Sequence, residues 1–294
     1  MASGGHDPDG GGPDEVSLSL SGDDRQTPSR WFEALATPAR GRAGGVARPA
    51  GTPREVGRGA GWPRYRRASM RIDRAGWPFI TGPLAPAALL AAAGAGTGRR
   101  WARVAAWPFL ALSAYMLLFF RDPERACDRV EPPADVVLSP ADGMVMVAGE
   151  PQEGVAPEPA PEGGWQQVSV FLSVVDVHVN RSPYRGEVVE SSYRPGSFLA
   201  AYRAESAHRN ERSELWLREG ERTVVFRQLV GVLARRIVTR TGVGRRLATG
   251  ERFGLMKFGS RMDVFLPAEC TLTVRKGQRV RGGETVIARW PAAG

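Results

Sequence analysis

The sequence predicts a β-rich (α+β) domain preceded by a helical membrane hairpin and a disordered tail, and three observations lead there. From about Val136 onward the chain breaks into short β-type runs punctuated by Gly and Pro. Just before that, two uncharged apolar runs stand close together, Ala75 to Gly98 and Val104 to Phe120. Ahead of them, residues 1–69 are rich in Gly, Pro, Ser, Ala and Arg without sustained periodicity, a composition that buries too little apolar surface to fold. The expected boundaries are 1–69, 70–125 and 126–294.

The tail holds no signal peptide, because no apolar core follows a basic start. Organised sequence opens at Met70 with MRIDRAGWPFI, so Met70 is expected to be the functional start.

The apolar runs have 24 and 17 residues, close to the roughly 20 needed to cross a hydrocarbon core. Arg99-Arg100-Trp101-Ala102-Arg103 separates them, so they read as a hairpin with Trp77, Trp101 and Trp107 at the interfaces. Arg64, Arg66, Arg67, Arg71 and Arg74 on one flank and Arg121, Arg125 and Arg129 on the other outnumber the turn's three Arg. That places the expected protein at the cell membrane with its C-terminal domain on the cytoplasmic side. The alternatives are a helical pair buried in a soluble protein and a shallow anchor that does not span.

The net charge is +9. Basicity is densest around the apolar runs, where residues 70–125 carry seven Arg (71, 74, 99, 100, 103, 121, 125) against Asp73, Asp122 and Glu124. An anionic membrane surface is the favoured partner; no arginine-rich helix or RNA-type aromatic signature supports nucleic acid. The two cysteines, Cys127 and Cys270, form no disulfide framework, which suits a reducing compartment. Neither HxxxH nor CxxC occurs, so no metal is expected.

In the β region VVLSPADGMVMVAGE reads as strand, turn, strand, with Ala141-Asp142-Gly143 at the bend. Gln167–Ser173, Gly186–Tyr193, Ser213–Leu217 and Thr223–Val230 follow as strands, Gly231–Thr239 as a short helix or more strand. TVRKGQRVRGGETVIARW supplies two more around Gly282-Gly283, and residues 151–164 form a loop or flap. Short connections favour antiparallel pairing.

FGLMKFGSRMDVFLP, residues 253–267, is β-type on both sides of Gly259-Ser260. Such an interruption is ordinarily a bulge or tight bend. It is also where a Ser hydroxyl can attack the preceding carbonyl, turn the peptide into an ester and, after elimination and hydrolysis, leave a pyruvoyl group. Gly at the attacked position tolerates the distorted backbone this requires. Of three histidines, His6 lies in the tail, His178 just beyond an apolar strand and His208 in a polar stretch. No GxSxG elbow or phosphate-cradling loop is present.

Four segments, SPADG (139–143), DVHVNRSPYRG (176–186), GSFLAAYRAESAHRNERSEL (196–215) and KFGSRMDVFLP (257–267), follow an FFRDPER exit (119–125). Together and in this order, over about residues 70–290, they resemble phosphatidylserine decarboxylase, more narrowly its short, archaeal-type branch. The resemblance implies a proenzyme cut between Gly259 and Ser260 into a large chain ending at 259 and a small chain 260–294. It implies pyruvate as cofactor, a covalent pyruvoyl group made from Ser260. Membrane phosphatidylserine would be held there as a Schiff base and leave as phosphatidylethanolamine and CO2. Asp142 matches the family's essential aspartate, His178 a histidine needed for chemistry, and Asn210, Glu211 and Arg212 the NER motif, where substrate contact is expected. Long-branch members carry a second histidine three residues after the first, in an Asp-His-Ser processing triad; here that position is Arg181. Either His178 serves both maturation and turnover, or cleavage proceeds without a full triad. His208 has no counterpart and is expected to be peripheral.

The residue types suit this chemistry. Neutral His178 or ionised Asp142 can take the Ser260 proton, and a His178 pKa near neutrality suits protonation of the carbanion left by CO2. Arg209 or Arg212 is a candidate for the lipid phosphate, with an ordinary surface salt bridge as the alternative. Met256-Lys257 and VRKGQRVRGGETV also resemble the lysine hairpin and turns of biotinyl carrier domains, which implies a barrel-sandwich-like C-terminal part. Lys257 itself is expected on an exposed strand. The competing function is a noncatalytic carrier or adaptor on a membrane hairpin, which leaves Gly259-Ser260, Asp142, His178 and the NER segment without a purpose. Oligomeric state and the exact lipid core are left open.

Overall fold

A computed structural model describes residues 69–232, 236–257 and 259–292. Apart from Ser69, the expected disordered tail lies outside the described residues. After β1 (Met70–Ile72) come helices α1 (Trp77–Thr81), α2 (Leu84–Gly96) and α3 (Arg100–Phe119), then β2 (Arg121–Pro123), which pairs back on β1. Asp73 starts the helical region by accepting from Ala75 N at 2.9 Å, and both its oxygens take Arg240 at 2.6 Å. Helices α2 and α3 approach closely because Gly94 has no side chain: a Cβ there would lie 2.6 Å from Arg103 Cγ. Segments Arg74–Gly96 and Arg100–Phe119 are long and apolar enough to cross a membrane, by length and composition.

The remainder is β-rich. Strands β3 (Val136–Leu138), β4 (Gly143–Gly149), β5 (Trp165–Leu172), β6 (Val179–Arg181) and β7 (Gly186–Arg194) precede the one-turn helix α4 (Ser206–Arg209). There follow β8 (Arg212–Glu219), β9 (Arg222–Val230), β10 (Ile237–Thr239), β11 (Arg246–Leu247), β12 (Arg252–Met256), β13 (Ser260–Pro267), β14 (Thr271–Leu272), β15 (Arg279–Val280) and β16 (Val286–Arg289). Among the described residues, eight of them form one antiparallel sheet in the order β11-β7-β8-β9-β13-β5-β4-β15. Two three-stranded sheets, β10-β12-β6 and β14-β16-β3, complete the region.

The strands expected on either side of Ala141-Asp142-Gly143 and of Gly282-Gly283 are present, and the structure adds their partners. Strands β3 and β4 flank a turn yet do not form a hairpin, since β3 pairs with β16 and β4 with β5 and β15. The two strands around Gly282-Gly283 likewise part, β15 to β4 and β16 to β3 and β14. Alternation sets which side chains point together but does not choose the partner strand.

The main core lies on one face of the large sheet, with Val170, Leu172, Leu215, Phe226, Met262 and Ile287 all buried. A second cluster joins the helices to the small sheet: Ile80, Phe119 and Phe120 pack on Val177, Val179 and Leu255. Each such side chain stabilises by about 1.5–3 kcal/mol when removed from water, so the end of α3 is fixed against β6 and β12. On the opposite face of the large sheet the 151–164 segment packs down through Val155, and Trp165 Nε1 donates to Pro157 O at 2.9 Å.

Candidate active site

The chain leaves β12 in one sheet and enters β13 in another, and Gly259-Ser260 stands at that crossover. Gly259 has φ +61°, a left-handed conformation that L side chains adopt at a cost. Nothing lies within 4 Å of where its Cβ would be, so glycine serves the backbone here and not the space. At Gly231 the reverse holds. A Cβ there would sit 2.2 Å from Gly259 O and 3.1 Å from Gly259 C, so the carbonyl ahead of Ser260 is seated directly on Gly231. Ser260 lies between Leu172 of β5 and Val230 of β9. Alternation directs it to the core face with Met262 and Val264, while Arg261 and Asp263 pair with each other on the other face at 2.6 Å. Ser260 is fully buried and its Oγ has no hydrogen-bond partner among the described residues.

His178 is also fully buried. Its Nδ1 lies 2.9 Å from Asp176 O; a carbonyl only accepts, so Nδ1 carries the proton and Nε2 presents its lone pair. That Nε2 has no hydrogen-bond partner among the described residues. The ring packs on Phe119 with centroids 4.1 Å apart. Burial drives its pKa from 6.5 down to about 4, against the pull of the Asp176 carbonyl. The expected pKa near neutrality is therefore corrected: the environment is too apolar to charge the ring at neutral pH.

Asn180, two residues on and so on the same strand face, is a member that the sequence reading missed. Its Oδ1 accepts from Gln228 Nε2 at 2.8 Å, and Gln228 Oε1 accepts from Thr239 Oγ1 at 3.1 Å. Gln228 pairs with Met262, one step from the Val230–Ser260 pair, and so shares the Ser260 face. A Cβ on Gly254 of β12 would stand 3.0 Å from Gln228 Nε2, which shows how closely the small sheet covers this face. Asn180 Nδ2 is buried without a partner. Ser260 Oγ, His178 Nε2 and Asn180 Nδ2 are thus buried and without hydrogen-bond partners among the described residues. Each costs about 1–3 kcal/mol if left so, which marks a reactive or ligand-holding site. The i, i+2 spacing of His178 and Asn180 was the sequence signal available.

Asp142 sits next door at the turn into β4. Gly143 abuts Phe171 O so tightly that a Cβ would lie 2.1 Å away, and Leu172, the next residue of β5, faces Ser260. Arg125 Nη2 donates to both carboxylate oxygens at 2.9 and 2.7 Å, and Gly282 N donates to Oδ1 at 2.8 Å. Burial raises its pKa, opposed by Arg125. No hydrogen bond joins Asp142 to His178 or Ser260 among the described residues. Arg125, not singled out from sequence, is its immediate partner.

In the NER segment Asn210 and Arg212 bond to neighbouring backbone. Buried Asn210 exchanges hydrogen bonds with Leu199 N and O at 2.9 and 2.7 Å and donates to Val230 O at 2.8 Å, which occupies its amide. It thereby fixes the residue opposite Ser260. Glu211 O receives Val230 N at 3.1 Å, and Arg212 Nη1 donates to His208 O at 2.8 Å. Arg209 and His208 are exposed, His208 against the flap at Gly154, where a Cβ would lie 3.4 Å from its Cε1.

Arg181, at the second-histidine position, is buried and fully engaged. It donates to both Asp128 oxygens at 2.8 and 3.0 Å, to Gly250 O at 2.9 Å and to Pro123 O at 3.2 Å. It ties the segment after α3 to β6 and has no lone pair to act as a base. Lys257 corrects another expectation. It is not on an exposed strand but buried, with Nζ 4.5 Å from the Phe79 ring centroid and its pKa lowered by burial and by Arg236. No cluster of three or more His, Cys, Asp or Glu that could hold a metal occurs among the described residues.

The family model described as phosphatidylserine decarboxylase matches residues 112–288. The chain is similar to the phosphatidylserine decarboxylase proenzyme of Symbiobacterium thermophilum, 47% identical over 222 residues, 75% of this chain and 96% of that one. It is likewise similar to the proenzymes of Rhodococcus erythropolis, 42% identical over 250 residues (83% and 98%), and Nitrosomonas europaea, 40% over 220 residues (74% and 95%).

Proposed function

The chain belongs to the phosphatidylserine decarboxylase family, and from that premise we propose that it makes its own pyruvoyl group from Ser260 and uses it to convert phosphatidylserine to phosphatidylethanolamine and CO2. The observation that carries the pyruvoyl reading is a serine hydroxyl, buried and unpartnered, directly after a glycine with φ +61°. Family membership sets aside the noncatalytic carrier.

Maturation begins with attack of Ser260 Oγ on the Gly259 carbonyl carbon, the hydroxyl proton passing to His178 Nε2. The peptide nitrogen of Ser260 leaves, taking up a proton, and an ester links the two residues. Loss of the Ser260 Cα proton then breaks the Cβ–Oγ bond and releases the Gly259 carboxylate. Water hydrolyses the remaining enamine, with departure of ammonia. No oxidant is needed. The pyruvoyl group supplies an electrophilic carbonyl that takes up the substrate amine and the electron pair left by CO2. His178, neutral at rest, can take a proton from the entering ammonium and return it after CO2 departs. Asp142, clamped by Arg125, holds negative charge beside this path and stays in the role of electrostatic neighbour. Arg181 in place of a histidine supports the short branch, with His178 serving both maturation and turnover.

The domain reading follows: residues 70–125 as a membrane hairpin, 126–294 as the catalytic region, the latter on the cytoplasmic face of the cell membrane. The two spans of apolar helix and the flanking Arg support this. The test is intact-mass analysis of the purified protein. A large chain ending at Gly259 and a small chain from 260 bearing a ketone in place of its amine are expected, and Ser260→Ala should stay whole and inactive. An unblocked serine at 260, or an uncut wild type that decarboxylates, overturns the mechanism.

A further inference from the structure

The turn between β5 and β6 presents apolar side chains that neither the core nor the chemistry uses. Asp176 Oδ2 accepts from Ser173 N at 2.9 Å and from Ser173 Oγ at 2.6 Å, and Asp176 N donates to Ser173 O at 2.9 Å. This closed polar turn leaves Val174 and Val175 at its tip, 38% and 53% exposed. The tip is fixed to the end of α3: Tyr115 Oη donates to Val174 O at 3.2 Å, and Arg121 bonds both Leu118 O at 2.6 Å and Val175 O at 2.7 Å. Leu117 and Leu118 beside it are 41% and 47% exposed, so one apolar surface runs from the helix onto the loop. The next residue, Asp176, holds His178 Nδ1 through its carbonyl.

We propose that Val174–Val175 is a wedge that dips into an anionic phospholipid surface and holds the β5–β6 turn, which carries His178, against it. This rests on the membrane reading above. A rigid turn with two β-branched residues at its tip, continuous with an apolar helix long enough to enter a bilayer, is at the right depth to touch acyl chains. Arg121, bonded to the Val175 carbonyl, and half-exposed Arg279, 3.4 Å from the Asp176 carboxylate, place two guanidinium groups beside the tip, which suits anionic headgroups. The wedge acts on delivery of the lipid, not on bonds made or broken.

The test compares full-length wild type, Val174→Ser/Val175→Ser and Val174→Trp/Val175→Trp. Each is assayed on vesicles of phosphatidylcholine containing phosphatidylserine and on dihexanoyl phosphatidylserine dispersed as monomers. The serine pair should self-cleave fully and keep its rate on the monomers, yet lose roughly tenfold on vesicles, the loss expected when two half-inserted valines are made polar. The tryptophan pair should sediment at lower vesicle concentrations than wild type. Equal vesicle rates for the serine pair and wild type, or an equal loss on vesicles and monomers, overturn the wedge while the anchored helices stand. Wild type that fails to sediment with vesicles overturns both readings.

Discussion

Replacing Gly231 by alanine should separate maturation from turnover. The added Cβ would lie 2.2 Å from Gly259 O, whereas such contacts do not fall under 3.0 Å, so the carbonyl must move by at least 3.0 − 2.2 = 0.8 Å. Gly231 is outside the left-handed region, so alanine brings no backbone strain and its whole effect is steric. The other neighbour, Ala201 Cβ at 3.3 Å, closes the route by which the new methyl would retreat. Displacing the attacked carbon by nearly 1 Å from its nucleophile costs about 10²-fold in rate, and the overpacking about 1–3 kcal/mol of stability. The assay follows loss of the uncut chain on a denaturing gel after synthesis, with thermal melts of Gly231→Ala on the Ser260→Ala background to measure folding separately. Once cut, Gly259 is a free terminus and the clash is relieved. Decarboxylation per matured chain should then match wild type. Cleavage at the wild-type rate in a folded Gly231→Ala protein would refute the seating of the carbonyl.

Three further outcomes are expected. His178 has a pKa of about 4 when folded against 6.5 ordinarily, so the unfolded chain takes its proton first as pH falls. Stability is then complete above 6.5 and declines from 6.5 to 4, by about 3 kcal/mol at ~1.36 kcal/mol per pH unit. On the Ser260→Ala background, His178→Gln should flatten the urea midpoint across that window, and an unchanged slope counts against a buried neutral imidazole. Asn180→Asp keeps the shape and the acceptor toward Gln228 but removes the unpartnered donor. Self-cleavage followed by intact mass should slow about 10²-fold if Nδ2 stabilises charge at the bond, and an unaltered rate discards that role. Arg181→His should not restore a processing triad; it should lower stability by about 1–3 kcal/mol because the Gly250 and Pro123 carbonyls lose their buried donor, while Asp128 keeps Arg252, and a variant of wild-type stability that cleaves faster would reverse that conclusion.

How much was legible in the sequence follows from which forces act locally. Strands such as β8 and β9 were found within a few residues because a run of β-type residues bounded by turn residues is a local property of the chain. The Gly259-Ser260 interruption was visible for the same reason, and so was its double meaning as bend and reaction site. Lys257 was misjudged because the side chain that covers it, Phe79, lies far back in the chain and arrives with α1. The strands on either side of Ala141-Asp142-Gly143 were legible, but not their partners: Leu138 pairs with Val286 and Met144 with Phe171, which only the closed sheets select.

The same reasoning explains why His178 and Ser260 were nameable while Asn180, Gly231 and Arg125 were not. A nucleophile or a base announces itself by residue type. A glycine that seats a carbonyl or an amide with one idle donor does so only once a second surface is present. Here that surface exists because the chain passes from the small sheet to the large one between Met256 and Ser260. The crossover puts a left-handed glycine at the bond proposed for cleavage, seats its carbonyl on the end of β9, and brings β6 onto the serine's face through Asn180 and Gln228. A continuous β12–β13 strand would keep every backbone group in one ladder and leave the Gly259 carbonyl hydrogen-bonded to a neighbour. Changing sheets at this point frees the bond for attack, so the bend that the bland reading of Gly-Ser expects and the self-cleavage that the sharper one expects are the same feature.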